Sequence, residues 1–240
     1  MISSELTNIL DAGRAASPAT LQVDVIADLI CPWCYLGKRR LDEALEAVRG
    51  PSEVTWYPFQ INPDMPAAGM PLDEYLEKKF GNLAALQPAM DELKKLGKAE
   101  GIEFNFDKVQ RVPSTLDAHR LMQLGQAEDV SASNLAESIL RGFFENGLDI
   151  ADRDVLIEIG GNSGLSRNDV NNALDNDDSR RIVLSREEHV RQSGVTGVPD
   201  FLVNKRLFAV GAQSTENLIK IFDRAMFGNE SDMPISEVVH

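Results

Sequence analysis

Leu21-Gln22-Val23-Asp24-Val25-Ile26-Ala27-Asp28-Leu29-Ile30-Cys31-Pro32-Trp33-Cys34-Tyr35-Leu36-Gly37-Lys38 is the stretch that decides the fold. Leu21, Val23 and Val25 alternate with Gln22 and Asp24. The run then turns almost continuously apolar up to Ile30, the pattern of a strand covered on both faces. Cys31-Pro32 ends it. Proline suits the first position of a helix, where its missing N–H would have no partner anyway. A helix is therefore expected from Pro32 to about Val48, with Leu41, Ala44, Leu45 and Val48 on one stripe. Gly50-Pro51 stops it. Residues 54–59 read as a second strand, weakened at its end by Pro58. The order β-α-β implies a right-handed crossover between parallel strands.

Both cysteines of the chain lie in this stretch, two residues apart, where the strand gives way to the helix. A Cys-x-x-Cys at such a join is a thiol-redox signal. Cys31 is placed at the helix N-terminus, where free backbone N–H groups and the positive end of the helix dipole favour a thiolate. Cys34 follows one turn later on the same face, close enough to attack a mixed disulfide formed at Cys31. Half of a zinc site is the competing reading. It needs four ligands, and His119, His189 and His240, the remaining soft ligands, are not paired at metal-ligand spacing. Two inert buried thiols are the other alternative. The expectation is catalytic cysteines, no metal and no organic cofactor.

Composition narrows the partners. At roughly 150 residues per domain, 240 residues allow one or two domains. Hydrophobic residues at 43% and charged residues at 26% make a globular balance. The formal charge of −14 disfavours nucleic acid and anionic membrane surfaces as partners. No apolar run approaches the ~18 residues of a membrane helix. Residues 1–20 lack a basic start, and Glu5 and Asp11 interrupt any apolar run, so no secretory signal is expected. The expected compartment is the cytoplasm, where thiols are mostly kept reduced. Leu6, Ile9 and Leu10 suit either a short amphipathic helix over residues 3–12 or a loose extension.

The rest of the chain divides in two. From Leu72 to about Arg191 the period is helical: Leu83, Leu86, Met90, Leu93 and Leu96, then Leu116, Leu121 and Leu124, then Leu135, Ile139, Leu140 and Phe143. Ser131 and Ser166 are placed as N-caps, and Asp152 and Asp154 suit a first helical turn. This block carries no strand signal. Residues 198–203 and 207–210 then read as a hairpin around Asn204-Lys205-Arg206, and residues 214–227 as a last helix facing inward through Leu218, Ile221, Phe222 and Ala225. The expected organisation is an extension over 1–19, a sheet-bearing domain over 20–70 and 190–228, a helical insertion domain over 71–189, and a tail over 229–240.

The string Asp28 to Lys38 resembles the active-site stretch of the FrnE-like branch of the DsbA-type thiol–disulfide oxidoreductases. Trp56-Tyr57-Pro58-Phe59 with Asn62-Pro63, Pro113-Ser114-Thr115 with Ala118-His119-Arg120, and Gly194-Val195-Thr196-Gly197-Val198-Pro199-Asp200-Phe201 agree with it, as does Gly211-Ala212-Gln213 more weakly. The resemblance implies an α/β architecture, a thioredoxin fold interrupted by an all-helical domain. It implies a cis-proline at Pro199 opposite the cysteines and substrate pairing through the backbone of Val198. It places His119 on the helical side facing the active site, as a group that could steady the Cys31 thiolate or simply be structural. One family feature is missing: the buried acid six residues before the first cysteine is Val25 here. Asp28, three residues before Cys31, is the remaining candidate for relaying a proton to Cys34. Pro32 and Trp33 tune redox poise between the cysteines, and Trp33 and Tyr35 are candidates for an apolar rim, with packing of one of them against the helical domain as the equal alternative.

The activity expected is dithiol–disulfide exchange with protein, peptide or small thiol substrates, glutathione a candidate among them, by a monomer or homodimer. Two other classes compete. Kappa-class glutathione transferases and 2-hydroxychromene-2-carboxylate isomerases share the fold but generally carry Ser where this chain has Cys31. A non-enzymatic holdase would need a large exposed apolar patch.

Overall fold

The structure is a computed structural model that describes residues 20–227. The expected helix at 3–12 and the tail at 229–240 lie outside the described residues. The described chain divides into two compact units, one within Met1–Ile61 and Leu184–His240, the other Asn62–Val183.

The first unit is built on a four-stranded sheet in the order β2-β1-β5-β6. Strand β1 (Leu21–Ala27) is buried along its whole length, as its apolar run requires. It pairs in parallel with β2 (Ser52–Pro58), with Val25 opposite Trp56. On its other side it pairs antiparallel with β5 (Asp200–Val203), which forms a hairpin with β6 (Leu207–Val210). The turn between them holds Asn204 and Lys205 at φ 47° and 55°, the left-handed pair that a tight hairpin needs. Helix α1 (Pro32–Val48) makes the crossover. Leu41 and Ala44 of its stripe are buried, and Leu45 and Val48 are half-buried.

Strand β1 ends at Ala27, three residues short of the apolar run. Asp28 turns the chain there: its carboxylate accepts the Leu29 N–H at 2.7 Å and the Ile61 N–H at 2.7 Å. This ties the end of β1 to the segment after β2. Helix α1 sits close on the sheet at Gly37, where an added Cβ would stand 3.1 Å from Phe201 and 3.1 Å from Pro199. Tyr35, Phe201 and Phe222 are the largest fully buried side chains, each worth about 1.5–3 kcal/mol of apolar burial. A separate cluster of Ile26, Tyr57, Phe59, Val190, Val195 and Leu202 fills the core of the same unit.

The second unit contains α2 (Leu72–Phe80), α3 (Leu83–Ala99), α4 (Leu116–Ala127), α5 (Ala132–Phe144), α6 (Arg153–Asn162), α7 (Arg167–Asp175) and the start of α8 (Asp177–Gln192). Its core gathers Leu121, Leu135, Ile139, Leu140, Leu156 and Val170. Ser131 and Ser166 cap α5 and α7 by accepting backbone N–H bonds. Asp152 is itself the N-cap of α6, and Asp154 lies in the first turn. One expectation fails here. Strands β3 (Met70–Pro71) and β4 (Arg111–Val112) form a two-residue ladder in a stretch that showed no strand signal. A ladder that short has no periodicity to read. The last helix, α9 (Thr215–Phe227), returns to the first unit and buries Leu218 and Phe222.

Candidate active site

Cys31 is the N-cap of α1, with φ −91° and ψ 116°, and Pro32 follows at the first helical position. The Cys31 carbonyl accepts the N–H groups of Cys34 (3.0 Å) and Tyr35 (3.2 Å), and the Cys31 N–H donates to the Asp28 carbonyl at 3.3 Å. The turn at Asp28 thus delivers Cys31 to the helix start. Both thiols are free. Cys31 is 6% exposed and Cys34 1%, whereas Trp33 between them is 43% exposed. Pro32 is half-buried.

The two thiols are not equivalent. Burial pushes the Cys34 thiol well above its ordinary range, and its hydrogen bond to Cys31 and the Cys31 charge add to the rise. A backbone hydrogen bond at Asp28 works in the opposite direction, while the Asp28 charge raises the thiol a little further. The Cys31 Sγ–H donates to the Val198 carbonyl at 3.7 Å. The Val198–Pro199 peptide bond is cis. Cys31, Cys34, Pro32, Trp33, Asp28, Val198 and Pro199 therefore all lie in one unit, at the C-terminal end of β1 and the N-terminal end of β5.

His119 lies in the other unit. It is 5% exposed in α4, and its N–H donates to the Thr115 carbonyl at 2.9 Å. Tyr35, a candidate for an apolar rim, is fully buried with the Arg39 guanidinium over its ring. Trp33 is the aromatic residue of the pair that faces solvent. The i, i+2 spacing explains the split, since helical residues two apart point about 200° apart, to nearly opposite faces. Lys38 and Asp200 are among the buried charged groups that the sequence pattern does not mark. Lys38 is 4% exposed and pairs with Asp42 at 2.6 Å across one helical turn, a spacing that the sequence does contain. Asp200, directly after Pro199, is 4% exposed. Among the described residues no group of three or more His, Cys, Asp or Glu side chains could hold a metal ion.

A dithiol at the start of a helix that crosses over from a strand, beside a proline loop, defines a thioredoxin-type thiol site. Residues 22–223 match the DSBA-like thioredoxin domain, and the chain belongs to that family. It resembles a probable DsbA oxidoreductase of Streptomyces coelicolor, with 28% identity, a TM-score of 0.79, and 91% of this chain and 94% of the other covered. It is 24% identical over 185 residues to the uncharacterized protein YwbO of Bacillus subtilis, covering 77% of this chain and 87% of YwbO. The fold is also that of the cytosolic disulfide reductase DsbM of Pseudomonas aeruginosa solved with GSH, at 20% identity and a TM-score of 0.58, covering 85% of this chain and 95% of DsbM.

Proposed function

We propose that the protein is a dithiol–disulfide oxidoreductase in which Cys31 attacks and Cys34 resolves. The placement of Cys31 as the N-cap of α1, one turn before a more deeply buried Cys34, carries this reading. The Cys31 thiolate attacks one sulfur of a substrate disulfide. That S–S bond breaks, and the departing substrate thiolate takes a proton. Cys34 then gives up its proton and attacks Sγ of Cys31. The 31–34 disulfide forms, the second substrate thiol leaves, and two electrons have passed from the pair to the substrate. The same steps reversed oxidise a dithiol, and direction follows from the potential of the pair against its surroundings.

The raised Cys34 thiol supports this division of roles, because a buried neutral thiol does not compete as the attacking group. Asp28, whose charge bears on Cys34, is the acid assigned to its proton. Val198 presents the backbone to the substrate beside Cys31, and Pro199 holds that loop. Trp33 offers exposed apolar surface to a protein or peptide chain. Glutathione is a fitting small substrate, given the likeness to a disulfide reductase solved with GSH. That likeness to a cytosolic protein also supports a cytoplasmic site of action. No metal or organic cofactor enters the cycle.

Turnover of insulin disulfides with a glutathione-coupled reductant tests the assignment. Cys31→Ser is expected to lose about three orders of magnitude or more in rate, the scale on which removal of a nucleophile reads. Retention of wild-type turnover by that variant would overturn it.

A further inference from the structure

Behind the Val198–Pro199 loop lies a cavity of about 310 Å³. Its walls include Val195, Val198, Phe208 and Val210, which are apolar, and Asp200. Pairing fixes which side of the sheet this is. Asp200 stands opposite Ile26 on β1 and Val210 on β6, and Leu202 lies opposite Phe208. Successive strand residues alternate between faces, so Asp200 and Leu202 share one face. Phe201 and Pro199, which meet α1 at Gly37, take the other. The cavity is therefore on the face away from α1 and the thiols.

Asp200 is poorly matched to so apolar a setting. One carboxylate oxygen accepts a single long bond, from the Gly211 N–H at 3.3 Å. That same N–H also donates to the Pro199 carbonyl at 2.8 Å. The other oxygen accepts no hydrogen bond from the described residues. No charged group compensates the burial: the carboxyl is pushed up to about 7 by desolvation, with only the Gly211 N–H acting against it. On the packed elements, β1 presents Ile26 and the acid Asp24 on the Asp200 face, β6 presents Val210 and Phe208, and α8 presents Val190. Glu187 and Arg191 of α8 are engaged with Gln60 and with each other.

We propose that this cavity is a binding site for a small alkylammonium ion, which places its charge on the free oxygen of Asp200 and its hydrocarbon against Val195, Phe208 and Val210. Pockets for small ligands begin near this volume, with mostly apolar walls and one or two polar anchors. The single free oxygen favours the point charge of an ammonium over a guanidinium, which prefers two parallel oxygens. Binding needs the ionised carboxyl, so a proton competes with the ligand. Because Val198 lines the cavity and also accepts the Cys31 thiol hydrogen bond, occupancy is expected to be felt at the thiol loop.

The test is a titration with n-pentylammonium, followed by methyl NMR shifts of Val195, Val198 and Val210 in the full chain. The expected result is saturable shifts at these residues, about tenfold weaker at pH 6 than at pH 8, because a carboxyl titrating near 7 is about nine-tenths protonated at the lower pH. 1-Pentanol, the neutral isostere, should bind more weakly and without that dependence. Asp200→Asn should lose about tenfold or more in ammonium affinity and all of its pH dependence. Val210→Phe fills the cavity but keeps the carboxyl, and should block binding even if the asparagine variant folds poorly. A blocked tripeptide carrying one lysine separates the two sources of an alkylammonium. Competition with n-pentylammonium points to a lysine of a protein partner, and exclusion to a free amine. Equal binding of ammonium and alcohol, unchanged affinity in either variant, or no saturable shift at these residues would overturn the proposal.

Discussion

Arg120 and Asp200 are both buried charged residues, one in each unit, and the structure treats them in opposite ways. Arg120 is 6% exposed. Its guanidinium donates to the carbonyls of Ala173 (2.8 Å), Leu174 (2.8 Å) and Asn176 (3.0 Å), to the Ser179 hydroxyl (3.2 Å), and to Asp117 (2.7 Å). It closes the C-terminal end of α7, where carbonyls have no helical partner. Asp200 has one long bond. A buried charge with every nitrogen hydrogen-bonded is a structural fastening. One left short of partners keeps its chemistry available. By that measure Arg120 fastens the helical unit, while the sheet unit holds the proposed thiol pair, Cys31 and Cys34, and an under-bonded carboxylate at Asp200.

Removing the fastening should have the largest effect on stability. Arg120→Met keeps much of the volume but strands several carbonyls and Asp117, so unfolding in urea should fall by about 3–5 kcal/mol. A loss below about 1 kcal/mol would break the contrast. Asp200 should respond with the opposite sign and through pH. Its folded-state pKa lies above the ordinary carboxyl value, so between about 4 and 7 the folded protein holds a proton that the unfolded chain has released. The stability contributed by that proton is full below the lower value and is lost as pH rises through the upper one. Asp200→Asn should therefore be more stable than wild type at pH 8, by at most about 4 kcal/mol, and near parity at pH 4. Urea unfolding of both proteins across that window measures the difference, and a constant difference with pH would remove the case for a strained carboxyl. The smallest effect is at a single cap. Asp152 accepts the N–H groups of Asp154 (2.8 Å) and Val155 (3.2 Å). Asp152→Ala should cost about 1 kcal/mol in thermal or urea unfolding.

The contrast also explains what the sequence revealed. The strand-to-helix join at Cys31-Pro32 was legible because alternation, a helix-starting proline and two thiols coincide within a few residues. The caps at Ser131 and Ser166 were legible because their partners are three residues away. The left-handed turn at Asn204 was legible because asparagine is chosen for that conformation. Asp200 was not, because its burial depends on β1, where Ile26 pairs with it from far away in sequence. The multiple bonds of Arg120 likewise come from residues more than fifty positions later. The choice between Trp33 and Tyr35 for the rim stays open in the sequence for a similar reason: which of two aromatic residues two positions apart faces the core depends on where the helix lands on the sheet.

The central claim, that Cys31 attacks while Cys34 waits neutral and buried, is tested most directly by mixed-disulfide mapping with oxidised glutathione. Mass spectrometry of Cys34→Ser should show one stable glutathione adduct, located on Cys31, because the resolving thiol is gone. Cys31→Ser should form no adduct under the same conditions, since Cys34 is 1% exposed and its thiol is pushed up by burial. An adduct on Cys34 forming at a comparable rate would contradict the account.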